Sequence, residues 1–286
     1  TKKESGVPPA HQMIASPEEA DGRYAGKGST YWTGYKVHLT ETCQPGQPHL
    51  ITHVETTPAT THDSHVTEKV QDDLAACDLA PEEHLVDSGY VDTEIIFRSQ
   101  EKGIQVIGPV QEDHSWQARA NHGFDQLQFQ VDWDRMQATC PNGKTSSTMK
   151  NGHTRSGEVT YRFSFAAEIC AACTLRASCT KAKTNGREIC VFPPAKLQLL
   201  IEARQRQNTE AFKKIYQLRS GIEGTMSQAV NRFGQRSARY RGFAKTHLQS
   251  LVTAAAINFV RLADWLCGDR PETTRISPLA LLSLQS

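Results

Sequence analysis

The sequence has no apolar run long enough to cross a membrane. Its longest nearly apolar stretch, Leu251–Val260, is ten residues and is interrupted by Thr253 and Asn258, against the roughly 20 that a spanning helix needs. The opening stretch TKKESGVPPAHQ has no apolar segment and so does not read as a secretory signal. Without an export signal, the eight cysteines read as thiols or metal ligands rather than disulfides, and a cytoplasmic location is expected. Internal repeats and low-complexity tracts are also missing. Net charge is only +1, so the total points neither toward nor away from nucleic acid. The chain opens on Thr1 rather than Met and reads as a fragment or a processed product.

The 286 residues, 38% apolar and 22% charged, suit a globular protein of one large domain or two modest ones. Charge is unevenly placed. From Arg204 to Lys245 there are ten Lys or Arg against Glu210 and Glu223, a local balance of +8. A patch of that size can track phosphates. The alternative is a solvated helical face, but acidic partners at helical spacing are scarce there.

Residues 1–20, polar and containing Pro8, Pro9 and Pro17, read as a linker or the remnant of a missing N-terminal domain. Alternation of Tyr35, Val37 and Leu39 with Lys36, His38 and Thr40 predicts a strand over Gly34–Glu41. A second strand is expected over His49–Glu55, then a loop through Thr57-Pro58-Ala59. Val66, Val70 and Leu74 predict a helix over Asp63–Cys77. A short strand enters Asp87-Ser88-Gly89-Tyr90, followed by a helix at Thr93–Lys102 and a strand at Ile104–Val110. This alternation implies an α/β sheet with covering helices. Residues 113–193 change texture, with short aromatic and β-branched segments separated by Gly, Asn and Ser, and read as a β-rich insertion. Helices are then expected over Lys196–Arg206, Thr209–Val230 and Lys245–Cys267, the last apolar-faced.

Three places could supply carboxylates for chemistry. Tyr216, Arg219 and Glu223, at offsets of 0, 3 and 7, fall on one helix face, which suits a metal ligand with phosphate-holding neighbours or a plain Arg–Glu pair beside a packed Tyr. Asp87 ends a strand, where α/β sheets collect ligands, although it could equally cap the next turn. A third acid must come from early in the chain. Asp21 is the choice, with Glu19 its competitor and Asp63 a weaker one.

The blocks Gly34-Tyr35-Lys36-Val37-His38-Leu39, Thr57-Pro58-Ala59, Leu85-Val86-Asp87-Ser88-Gly89-Tyr90 and Tyr216-x2-Arg219-x3-Glu223 together resemble bacterial insertion-sequence transposases of the DDE type. The resemblance covers roughly residues 16 to 267. It implies an RNase H-like α/β fold, a mixed sheet with flanking helices and a β-rich insertion between the second Asp and the Glu. On that pattern, residues 21–112 begin the catalytic core, 113–193 are the insertion, 194–268 return to the core with the Glu, and 269–286 form a tail. The resemblance matches Asp87 to the second Asp, Glu223 to the Glu, and Tyr216 and Arg219 to the Tyr and Arg beside it. Asp21 is carried over as the first Asp, though Glu19 lies where some relatives place the acid. Relatives often carry a Lys seven residues after the Glu. Here that position is Val230, leaving Arg232 or Arg236 for its phosphate contact. The N-terminal DNA-binding region of full-length relatives has no counterpart here.

Three carboxylates are hard oxygen ligands that select Mg²⁺ or Mn²⁺. A pair of such ions can activate an attacking oxygen and stabilise a leaving one. The resemblance therefore implies metal-dependent strand cleavage and strand transfer on double-stranded DNA, in a nucleoid-associated bacterial protein that assembles as copies on paired ends. Arg219, Arg232, Arg236, Arg239, Arg241, Lys245 and Tyr216 are the candidate DNA contacts. A remnant that binds DNA without cutting it is the alternative, and a simple nuclease is another.

Cys140, Cys170, Cys173 and Cys179 offer four thiolates, with one CxxC pair, for a structural Zn²⁺. Small buried hydrophobes are the other reading, and Cys190 is a substitute ligand. His62 and His65 flank Asp63 and could mimic a metal cluster. His84 and His247 read as structural or phosphate-adjacent. Trp32, Trp116 and Trp133 read as core or stacking residues.

Overall fold

The computed structural model describes residues 8–120, 123–154 and 157–270. The first seven residues of the expected linker and residues 271–286 of the expected tail lie outside them. The protein is a mixed α/β structure of two compact units. One unit joins the residues up to Pro81 with those from Lys214 onward, and the other is Glu82–Lys213.

In the first unit β1 (Arg23–Lys27), β2 (Thr30–Glu41) and β3 (Ile51–Pro58) form an antiparallel sheet in that order. The sequence pattern started the first strand at Gly34, but β2 begins four residues earlier. Gly28, at φ +61°, closes a two-residue turn with Ser29 and pairs Lys27 with Thr30, as tight hairpins require a positive φ. β1 carries no apolar alternation, so only the turn betrays it. β3 extends to Pro58, with Tyr35 opposite Pro58 and Leu39 opposite Val54, and takes in residues expected to form a loop.

Helix α1 (Ser64–Ala76) buries Val66, Val70 and Leu74 as their spacing predicts. Each such burial contributes about 1.5–3 kcal/mol. In the second unit β4 (Glu83–Leu85) and β5 (Gln105–Ile107) pair in parallel around α2 (Thr93–Glu101). Gly108 is needed beside this pair, because a Cβ there would lie 2.8 Å from the Val86 carbonyl oxygen.

A short α3 (Trp116–Arg119) leads into the β-rich region. There β6 (Gln130–Asp132) pairs with β7 (Gln137–Thr139), and β8 (Thr148–His153), β9 (Val159–Ser164) and β10 (Glu188–Val191) form a sheet with β9 central. Between β9 and β10 lie the short α4 (Ala167–Ala171) and α5 (Arg176–Cys179). Phe129, Ala138, Phe163, Phe165, Ile189 and Val191 make its small core, with Trp133 packed against it. α6 (Pro194–Gln207) returns to α2, where Leu200 and Ala203 join Val86, Ile95, Ile96 and Val106 in a separate core.

The single helix expected over Thr209–Val230 is instead three pieces. α7 (Glu210–Tyr216) gives way to a 3₁₀ turn at Gln217–Ser220 and then to α8 (Gly221–Asn231). Gly221 marks the restart, and a Cβ there would already stand 3.3 Å from Glu41 Oε1 and His49 Nδ1. Tertiary packing therefore seats α8 closely against β2 and overrides local helical continuity.

α9 (Phe243–Leu266) has the expected length, but its buried stripe is small and partly polar: Thr246, Ser250, Thr253, Ala254 and Ile257. Leu248, Val252, Phe259 and Leu266 of the same helix are exposed, so apart from Ile257 its large apolar side chains contribute little to its buried face. The Asn258 amide accepts from the Ile51 N–H at 2.8 Å and donates to its carbonyl at 2.9 Å, holding α9 on β3. No helix among the described residues is long and apolar enough to cross a membrane.

Candidate functional site

Glu223 stands in the first turn of α8, where the helix dipole favours a carboxylate. Its side chain is 69% exposed and pairs with Arg219 at 3.1 Å. The Arg219 guanidinium also lies 5.4 Å from the centre of the Tyr216 ring. The three residues thus meet across the 3₁₀ turn rather than along one continuous helix. An exposed pair of this kind adds only about 0.3–0.5 kcal/mol, so Glu223 is not held there by its worth to the fold.

α8 itself is fixed from its buried side. Thr225, fully buried, donates to Glu41 Oε2, and Arg261 of α9 binds the same oxygen at 3.0 Å. Arg261 also donates to the Thr225 hydroxyl at 2.5 Å and to the His49 carbonyl at 2.6 Å. This network locks α8, β2 and α9 together and sets the position of the helix turn that carries Glu223.

The early acids differ sharply. Glu19 Oε1 accepts from the Tyr35 hydroxyl at 2.5 Å and from the Gly242 N–H, the start of α9, at 2.9 Å. Burial, then the hydrogen bond and charge of Glu19, push the Tyr35 phenol pKa upward, with Asp21 adding a smaller contribution. Gly22 is required beside it, since a Cβ there would meet Glu19 Cγ at 2.9 Å. Asp21, in the same bend, is exposed. In the second unit Asp87 lies two residues past the end of β4, is exposed, and accepts from the Ser88 N–H at 2.8 Å through Oδ1. Of the two readings of Asp87, the turn cap is the one this bond describes, while the strand itself stops at Leu85.

Arg232, Arg236, Arg239, Arg241 and Lys245 are all exposed and lie on the α8–α9 connection and the first turn of α9, with no acid among residues 232–245. The connection is pinned to α9: Gln249 accepts from the Arg239 N–H at 2.8 Å and donates to the Ser237 carbonyl at 3.0 Å. Tyr240, 57% exposed, stands among these cations. Arg241 reaches Glu18 at 2.5 Å, with both side chains largely in solvent.

The His62–Asp63–His65 cluster does not assemble as ligands. Asp63 is bound by Lys36 at 2.8 Å, and His62 bonds Ser64 at 2.9 Å. A different group escaped the sequence reading: His53 and Glu55 of β3 with Asp73 of α1, whose ligand atoms lie within 4.8 Å of one another. The i, i+2 spacing of His53 and Glu55 on one strand face was the available signal. Lys69 lies 3.0 Å from Glu55 and 2.5 Å from Asp73. That ammonium, then His53, holds the Asp73 carboxyl below its usual range. The cluster is an ion-pair network with its cation already supplied. His247 bonds Thr56 at 3.1 Å and stacks on Phe243, and His84 is buried. Trp116 lies under the Lys181 ammonium at 4.8 Å.

The four cysteines singled out by spacing come together in the β-rich region and line one cavity of about 30 Å³. Burial pushes the Cys179 thiol pKa up, Arg187 pulls it down, and Cys170, Cys140 and Cys173 each raise it further. Cys190 is exposed on β10 and does not line the cavity.

No curated protein and no solved structure matches this chain. Residues 139–263 match the family model described as Transposase DDE domain, a stretch that takes in the cysteine cavity, α8 with Glu223, and the basic connection. Over those residues the chain is similar to the DDE transposases, and that similarity supports a DDE transposase.

Proposed function

We propose that the chain carries the catalytic part of a DDE transposase with an RNase H-like core, which cleaves DNA strands and joins them to a target. The similarity of residues 139–263 to the transposase DDE domain carries this reading. That family implies divalent-metal dependence and a DNA substrate. Asp87, Glu223 and a first acid from the Glu19–Asp21 bend are the proposed ligands. The donor set fits a hard ion: all are carboxylates, and the Arg219 bond occupies one oxygen of Glu223 and the Ser88 bond one of Asp87. When bound, Mg²⁺ or Mn²⁺ supplies activation of the attacking oxygen and stabilisation of the leaving one.

Between the two candidate first acids, pre-organisation favours Glu19. Metal-binding carboxylates are themselves held by hydrogen bonds, and Glu19 has two donors on one oxygen, whereas Asp21 is exposed. Arg219 is positioned to hold a phosphate beside Glu223. The basic connection Arg232–Lys245 supplies further phosphate contacts, and Tyr240 offers an aromatic face among them.

The test is nicking of supercoiled plasmid with Mg²⁺, Mn²⁺ or EDTA. Nicking should need the metal, disappear in Asp87→Asn and Glu19→Gln, and persist in Asp21→Asn. Loss in Asp21→Asn with retention in Glu19→Gln would reverse the choice of first acid. Metal-independent DNA binding without any nicking would leave a DNA-binding remnant as the function.

The basic connection gives a second expected result. Replacing Arg236, Arg239 or Lys245 by Gln should each weaken duplex binding regardless of sequence. Each should also flatten the dependence of log K on log salt by about 0.9, measured by titration between low and physiological salt. Unchanged slopes in all three variants would remove this segment from the interface.

A further inference from the structure

We propose that Cys140, Cys170, Cys173 and Cys179 form a structural zinc site that closes the β-rich region, independently of the catalytic reading. The four sulfurs come from three separate pieces of chain. Cys140 follows β7 in a tight turn, where its N–H bonds the Lys144 carbonyl at 2.8 Å and its carbonyl accepts from Gly143 at 2.8 Å. Gly143 takes a φ of +71° there, a backbone conformation suited to glycine. Cys170 lies in α4 and Cys173 in the turn after it, with the Cys173 N–H on the Cys170 carbonyl at 3.3 Å. Cys179 ends α5.

The surroundings are built for anionic sulfur. Cys173 Sγ accepts from the Asn142 amide at 3.4 Å, and Cys170 Sγ accepts from the Arg187 backbone N–H at 3.4 Å. A thiol is a weak acceptor, whereas a charged acceptor makes a much stronger bond. Lys144, Arg176 and Arg187 line the same cavity as the four cysteines. Two of their nitrogens, Arg176 Nη1 and Arg187 Nε, are buried without a hydrogen-bond partner. Buried guanidinium N–H groups without acceptors are costly, and four neutral thiols do little to relieve them. A tetrathiolate zinc centre is doubly negative and answers that excess of positive charge.

The need for such a staple is visible in the packing. This region's core has six buried apolar side chains, against which Cys140, Cys170 and Cys179 pack, and small cores of this kind commonly depend on a metal. A closed site has Zn–S bonds of about 2.3 Å, hence sulfurs about 3.8 Å apart. No three of these sulfurs lie within 4.8 Å of one another among the described residues, so binding zinc requires some of them to close by at least about an ångström.

The test uses the full chain, expressed with zinc and purified without chelator, and measures bound metal by elemental analysis. The expected result is about one zinc per chain, lost in Cys170→Ser and Cys173→Ser but kept in Cys190→Ser and Cys77→Ser. Because a ligand variant could fail to fold, the wild-type chain is also loaded with Co²⁺. The thiolate-to-cobalt charge-transfer band and visible spectrum of a tetrahedral four-sulfur site should appear, and added Zn²⁺ should erase them. A wild-type chain without zinc that shows no such spectrum overturns the proposal. So does zinc retained in a folded Cys170→Ser, Cys173→Ser double variant.

Discussion

Glu223→Gln is expected to abolish metal-dependent nicking, lowering the single-turnover rate by about 10³-fold or more while leaving the fold intact. The substitution keeps the shape of the side chain and removes the charge that makes it a ligand for a hard cation. Losing a metal ligand costs several kcal/mol of transition-state stabilisation, and about 4 kcal/mol corresponds to 10³-fold. The fold has little at stake. The side chain is 69% exposed and accepts from Arg219 at 3.1 Å, a surface pair contributing about 0.3–0.5 kcal/mol. Stability by urea titration should therefore change by less than about 0.5 kcal/mol. Nicking at the wild-type rate in this variant would end the assignment of Glu223 as a ligand, whereas loss of both activity and fold would show that the residue is structural.

Glu41→Ala should have the opposite signature, a large loss of stability at a residue that takes no part in the proposed chemistry. Its side chain is only 5% exposed, it accepts from Thr225 and Arg261, and Arg261 is itself 19% exposed. Removing one partner of a buried pair leaves the other charge without compensation, a cost of about 3–5 kcal/mol. For a protein of this size that corresponds to roughly 10 °C in the thermal midpoint. Replacing both charges together, Glu41→Leu with Arg261→Met, should recover most of the loss, because the penalty comes from the stranded cation rather than from a missing attraction. A loss below about 1 kcal/mol in Glu41→Ala would mean that the network is wetter and weaker than its geometry implies. Since Thr225 ties α8 to Glu41, the same variant should also lower cleavage by loosening the helix turn that carries Glu223.

These two acids show where local pattern ends. Glu223 is legible from its neighbours, because Tyr216 and Arg219 precede it at spacings that bring side chains together over a few residues of chain. Glu41 is not, since its partner Arg261 is 220 residues away and no periodicity reports such a contact. Glu19 falls between the two. Its position in an acidic bend made it a candidate, but its link to Gly242, 223 residues on, is what separates it from Asp21.

By itself the sequence determined the elements whose side chains alternate or repeat on one face. These include the strand carrying Tyr35, Val37 and Leu39 and the helix carrying Val66, Val70 and Leu74; the four cysteines read as thiolates for zinc were likewise singled out by spacing, and they line one cavity. Backbone sterics and burial of one face make such patterns local. Tertiary structure alone decided four things. It added β1, whose residues are too polar to advertise a strand, and it broke the expected helix before Gly221, where close approach to Glu41 and His49 outweighs helical continuity. It buried the small, hydroxyl-rich face of α9 rather than its leucines and phenylalanine, because that face lies against β3 and α8. It also joined Glu41, Thr225 and Arg261 into one network. Each depends on which surfaces meet, and that is settled by packing between segments far apart in the chain.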